Sequence, residues 1–232
     1  FWKEPRVSLF PVAKTYDSDF AYVSSTGKMY VLRGANTVNF YEYDMAADTW
    51  TAKADLPAAV YGGGAISEGQ DGYIYAIRGA GWGSFYRYDI AANTWDDAAA
   101  TDAPTSFSYG ASLKYDGSRY IYALRGNNDE AFYRYDTQMD AWDTLTSADF
   151  GAPQSQVNNF VSYGGDLTYD PDGFVYAIQG NTRSGFAVYS IATESWTPLT
   201  SLPALAYDGS NITYDEETDS IYYISGWGKP FL

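Results

Sequence analysis

Three arginines, Arg33, Arg78 and Arg125, each stand directly before a glycine in segments that repeat along the chain. A guanidinium presents a planar fork of donors that matches a carboxylate, so three converging arginines could hold an anionic group such as a uronic or sialic acid carboxylate. The structural alternative is that each arginine neutralises a neighbouring Asp and backbone carbonyls, which duplication of one packing residue would also produce. Asp19 and Asp166 share a second repeat phase with Gly64 and Ser112, which Asn211 joins after a one-residue shift. Two carboxylates across a cleft are what a glycosidase requires, and solvated acids lining a channel carry the same sequence. Trp82 and Trp227, each beside glycine, offer flat apolar faces for a sugar ring, with Asn127, Asn181 and Arg183 in corresponding loops to bond hydroxyls. Packing of those indoles over the fold is the competing expectation.

The elements that would position these groups follow from the repeat. Met29–Trp50, Tyr73–Trp95, Tyr120–Trp142 and Phe174–Trp196 are versions of one segment, and Ile221–Leu232 begins a fifth. The marker glycines Gly34, Gly79, Gly126, Gly180 and Gly226 are 45, 47, 54 and 46 residues apart. Such a period denotes a repeat architecture. Each copy reads as four short strands. The first is Gly-rich (Tyr16–Tyr22, Tyr61–Ser67, Tyr109–Tyr115, Tyr163–Tyr169), as close approach of another backbone requires. The second is apolar on both faces, as in Tyr73–Ile77, and hairpin turns at Thr26-Gly27, Asp71-Gly72, Asp116-Gly117 and Asp172-Gly173 join the two. The third alternates, as in Phe85–Tyr88, and the fourth opens at Trp50, Trp95, Trp142 or Trp196. These are the parts of a propeller blade.

A hairpin ending in Gly, then Tyr43-Asp44 with Trp50, Tyr88-Asp89 with Trp95 and Tyr135-Asp136 with Trp142, resembles the kelch family of β-propellers over nearly the whole chain. The fourth copy departs with Tyr189-Ser190, and Arg-Gly, Gln-Gly or Ser-Gly replaces the usual Gly pair. The resemblance implies an all-β fold. It leaves function open, because kelch propellers include interaction modules, carbohydrate binders and oxidases; the copper-radical branch needs His and Cys, and this chain has neither. The acids Asp44, Asp89 and Asp136 recur beside Tyr and before Trp, which marks them as turn or packing residues.

The expected fold is a single kelch-like propeller over residues 1–232 with five blades, at about 16–60, 61–108, 109–162, 163–206, and 207–232 joined by 1–15. Trp2 precedes Tyr16 by the same spacing as Trp95 precedes Tyr109, so Phe1–Glu4 reads as a strand closing the last blade. That blade is short of a third strand. It closes with three strands, or belongs to a longer ring, or takes a strand from a partner. Phe1, Trp2, Lys229, Phe231 and Leu232 are the candidate assembly edge.

Composition narrows the function classes. With 14 basic and 29 acidic residues the formal charge is −15, which disfavours nucleic acid and anionic membrane surfaces. No apolar run is long enough to enter a bilayer as a span. The absence of Cys and His removes disulfides, thiolate nucleophiles, Ser-His-Asp triads and His-ligated metals. No cofactor is expected, apart from weak Ca²⁺ binding at the acidic turns Asp170–Gly173 and Asp215–Asp219. The expected function is a non-enzymatic, secreted or cell-surface module that binds a glycan or a protein through its channel mouth and top loops. A structural subunit joined as a homo-oligomer through the fifth blade, and a glycan-active hydrolase using Asp19 and Asp166, are the alternatives.

Overall fold

A computed structural model describes residues 18–70, 72–98, 100–151 and 160–226, and among them every element is a β-strand. The chain is a β-propeller with four four-stranded blades. Blade one comprises β1 (Asp19–Val23), β2 (Lys28–Leu32), β3 (Phe40–Asp44) and β4 (Thr49–Ala52). Blade two comprises β5 (Ala65–Glu68), β6 (Tyr73–Ile77), β7 (Phe85–Asp89) and β8 (Thr94–Asp96). Blade three is β9 (Ser112–Tyr115), β10 (Tyr120–Leu124), β11 (Phe132–Asp136) and β12 (Ala141–Thr144), and blade four is β13 (Asp166–Asp170), β14 (Phe174–Ile178), β15 (Phe186–Ser190) and β16 (Ser195–Pro198). A two-stranded sheet of β17 (Asn211–Asp215) and β18 (Ser220–Ile224) follows. All pairings are antiparallel between neighbours in sequence.

This corrects the expectation of five blades, the last of them short of a third strand. Two strands of the fifth repeat form, but the four-strand pattern is completed only four times among the described residues. The expected closing strand with Phe1 and Trp2, and the edge residues Lys229, Phe231 and Leu232, lie outside the described residues, as does Trp227. The first strands also start three or four residues later than their Gly-rich sequence suggests. The residues before them turn instead: Gly63, Gly110, Gly164 and Gly209 adopt φ of 76–81°. The turns close by bonds such as Gly64 N–H to Tyr61 O at 2.8 Å and Ala111 N–H to Ser108 O at 2.8 Å. A Cβ on Gly63 would lie 2.0 Å from the Ser108 carbonyl oxygen of the next blade. The close backbone approach expected of these glycines is therefore between blades.

The blades cohere through a repeated aromatic contact. Phe40 of β3 meets Tyr88 and Trp95 of the next blade edge-on, with centroids 4.8 and 4.9 Å apart. Phe85 repeats this with Tyr135 and Trp142 at 4.8 and 4.9 Å, and Phe132 with Tyr189 and Trp196 at 5.0 Å each. Edge-to-face pairs of this kind contribute about 0.5–1.5 kcal/mol beyond their buried area. The Trp indole N–H also donates to a carbonyl of the preceding blade: Trp95 to Ala54, Trp142 to Thr101, and Trp196 to Thr146, at 2.9–3.0 Å. Tyr88 and Tyr135 donate their hydroxyls to Asn93 and Asp140, whose side chains accept the N–H of the same Ala54 and Thr101. One residue at the end of blade one, Ala54, and one at the end of blade two, Thr101, are thus held at both N–H and C=O.

The recurring acids behave as turn residues. Asp44 accepts the N–H groups of Ala46 and Ala47, Asp89 that of Ala92, and Asp136 those of Gln138 and Met139. In the fourth copy the Ser190 hydroxyl accepts the Thr193 N–H at 3.4 Å, a longer version of the same cap.

Because the contact repeats, truncating it should cost the same at each interface. Phe85→Ala and Phe132→Ala are each expected to lose about 3–5 kcal/mol of stability in denaturant unfolding. Values near zero for either would show that the ring does not depend on this contact.

Candidate functional site: the channel and the top face

The inner strands β1, β5, β9, β13 and β17 surround a cavity of about 500 Å³. Its polar wall includes Asp19, Ser67, Glu68, Ser112, Lys114, Asp166, Asn211 and Thr213. Strand pairing sets which residues are equivalent. Asp19 lies opposite Leu32, Ala65 opposite Ile77, Ser112 opposite Leu124, Asp166 opposite Ile178 and Asn211 opposite Ile224. The residue of blade two in this ring is therefore Ala65 rather than Gly64. The turn glycine fixes the register: Gly63 corresponds to Gly110, so Tyr61 matches Ser108 and not Tyr109. Asn211 joins the ring as expected.

These side chains bridge neighbouring blades. Asp19 Oδ2 accepts the Ile66 N–H at 2.9 Å and Oδ1 the N–H of Phe20 at 2.8 Å. Asp166 accepts the Ser112 hydroxyl at 2.8 Å and the Ile212 N–H at 3.0 Å, while Ser112 Oγ accepts the Leu167 N–H. A second tier two residues along repeats the device, with Ser67 accepting from Tyr115 and Thr168 from Tyr214. Nothing in the sequence marks this tier, since Ser and Thr at that phase look like ordinary strand residues. Both carboxylates are turned to strand backbone, whereas a nucleophile or general acid must present an oxygen to substrate. Burial pushes the Asp19 carboxyl up to about 6, with the charge of Asp166 adding to the rise while the Ile66 N–H and Lys114 oppose it. Asp166 and Glu68 are also raised, in each case chiefly by burial.

The three arginines do not converge on this cavity, and none lines it. Each sits at the end of a second strand and serves its own blade. Arg33 donates to Asn39 Oδ1 at 3.1 Å. Arg125 donates from Nε to the Ser106 carbonyl at 3.1 Å and forms an ion pair with Asp129. Arg78 donates from Nε to the Ala59 carbonyl at 3.0 Å, and its guanidinium carbon lies 4.6 Å from the centre of the Trp82 ring. Cation–π stacking accounts for that position.

The loops after the marker glycines share one backbone. Gly126, Asn127 and Asn128 are all left-handed, and so are Gly180, Asn181 and Thr182. A left-handed residue other than Gly is costly and Asn tolerates it best. Asn127 and Asn181 are thus fitted to the turn, although variation among the copies suggests free choice. The third loop residue pairs with the segment leading into the next blade, giving bridges at Thr37–Val60, Trp82–Phe107, Asp129–Val161 and Arg183–Ala206. Arg183 is half-buried at this phase. Trp82 is 54% exposed on a backbone pinned by its bonds to Gly79 and Phe107. Tyr61, whose N–H bonds the Arg78 carbonyl, is 45% exposed.

At the acidic turns, Asp170 accepts the Asp172 N–H, and Asp215 accepts from Glu217 and Thr218. No group of three acids is placed to hold a metal among the described residues.

No family model and no curated protein matches the sequence. Among solved structures the chain is similar to that of YjhT, with a TM-score of 0.70 and 15% identity over 92% of this chain and 72% of that one. It is also similar to a structural genomics protein of unknown function from Bacteroides thetaiotaomicron VPI-5482, with a TM-score of 0.61 and 16% identity over 84% of this chain and 53% of that one. Likeness at these identities is a likeness of fold.

The raised Asp19 carboxyl makes stability depend on pH. Its stabilising contribution is present at low pH, where both folded and unfolded chains hold the proton, and is lost as pH rises through about 6. Asp19→Asn should therefore gain in melting temperature relative to the parent on moving from about pH 4.5 to about pH 7.5. A difference independent of pH would contradict the shift.

Proposed function

We propose that the chain is a non-enzymatic recognition module, secreted or displayed at a cell surface, that takes a glycan or a partner protein on its top face. The kelch-like character inferred from the Tyr-Asp and Trp spacing belongs to the same proposal. The observation that carries it is Trp82: an indole more than half exposed, on a backbone fixed at both ends, with the Arg78 guanidinium stacked against it. Exposed aromatic rings held on rigid backbone lose little entropy on binding and are frequent anchors of recognition. The Tyr-, Trp- and Gly-rich composition is consistent with an extracellular setting. Bridging roles for Asp19 and Asp166 argue against the hydrolase alternative.

A second reading rests on a different observation. Phe20 and Tyr22 on β1, and Tyr222 and Ile224 on β18, are exposed at about half their surface. They lie on the first and last sheets outside the buried clusters between blades, and Phe20, Tyr22 and Ile224 also line the cavity. An assembly joined there would cover them.

Display of the protein on a glycan array and against candidate surface proteins tests the first reading. The parent should bind a discrete set, and Trp82→Ala should weaken that binding by about tenfold or more without changing the melting temperature. Undiminished binding by the variant would remove the top face from the account. Light scattering over about a hundredfold dilution separates the second reading: a monomer throughout counts against assembly, and a dilution-sensitive oligomer supports it.

A further inference from the structure

The repeat supplies its own control for Arg78. In blade three the residue three positions after the marker glycine is Asp129, which neutralises Arg125. In blade one the residue five positions after it is Asn39, which accepts from Arg33. In blade two those two phases hold Trp82 and Ser84. The Trp82 indole takes one face of the Arg78 guanidinium, the Ala59 carbonyl takes Nε, and neither terminal nitrogen bonds any described residue. The half-buried donor fork is therefore left with no described acceptor at its terminal nitrogens, beside an exposed aromatic ring. The carboxylate that blade three builds in is missing from blade two.

We propose that blade two binds a carboxylate-bearing saccharide, the ligand carboxylate standing where Asp129 stands in blade three, with the sugar ring against Trp82. This rests on the recognition reading above and names its ligand class. The fork accepts a carboxylate through two parallel N–H···O bonds. Gly81 and Gly83 flank the indole and put no side chain around it, so a pyranose ring can lie flat on it. Tyr61 adds a second exposed aromatic beside the same strand end. The channel is not this site, because its wall carries Asp19, Glu68 and Asp166 against Lys114. With a net charge of −15 the protein repels long acidic polymers at low salt, which favours a short ligand.

Calorimetric titration with trigalacturonic acid, its full methyl ester and triglutamate tests this. The acid should bind about tenfold or more tightly than the ester at low salt. Arg78→Met should abolish that preference while leaving ester binding unchanged. Trp82→Asp supplies the missing carboxylate from within and should lose both ligands; Trp82→Asn, which supplies no charge, should retain the acid preference at reduced affinity. Melting temperatures near the parent's verify that each variant is folded. Equal binding of acid and ester, an acid preference that survives Arg78→Met, or no binding of the acid at all would overturn the proposal. Triglutamate binding as tightly as the acid would overturn the saccharide assignment. Ester binding that Trp82→Ala abolishes, with no preference for the acid, would leave the recognition reading standing and remove the carboxylate from it.

Discussion

The structure depends on the grip of each blade on the one before it. A four-stranded blade has apolar residues on both faces and cannot bury them alone. The Phe–Tyr–Trp contact buries them in pairs, and the indole and Asn or Asp bonds to Ala54 and Thr101 fix where one blade meets the next. Around the channel, Asp19, Ser67, Ser112, Asp166 and Thr168 repeat the grip from the inside. Outer rim and inner wall are thereby committed to holding blades together. What remains variable is the top loops.

Much of this was legible in the sequence. The Tyr-Asp pairs with their Trp located the third and fourth strands to within a residue, because Trp95, Trp142 and Trp196 share one packing role at the blade interfaces. The Gly-rich strands were less legible, since a glycine run does not say which glycine turns. The extra glycine at Gly62–Gly64 shifted blade two by one residue and placed Gly64 where Ala65 belongs. The number of blades was overestimated because β17 and β18 carry the repeat signal of a blade's first two strands, and among the described residues they form a two-stranded sheet alone.

The site was legible in part. Trp82 stood out by its glycine flanks, and the recurrence of Arg33, Arg78 and Arg125 was plain, but their outward placement was not. Sequence phase alone cannot say whether the side chain at a strand end turns to the axis or to the preceding loop. The distinction among the three arginines was available in the loops. The Asp129 and Asn39 side chains accept from their arginines whereas those of Trp82 and Ser84 do not accept from the Arg78 guanidinium, and comparison of copies at those two phases points to Arg78.

On the proposed reading, ligand meets this propeller on the top of blade two. Titrating trigalacturonic acid into isotopically labelled protein and following indole, arginine Nε and backbone amide resonances tests it directly. Shifts confined to Trp82, Arg78, Tyr61, Gly81 and Gly83 are the predicted result. Shifts centred on Asp19, Lys114 and Asp166, with Trp82 unmoved, would place the ligand in the channel and contradict the account.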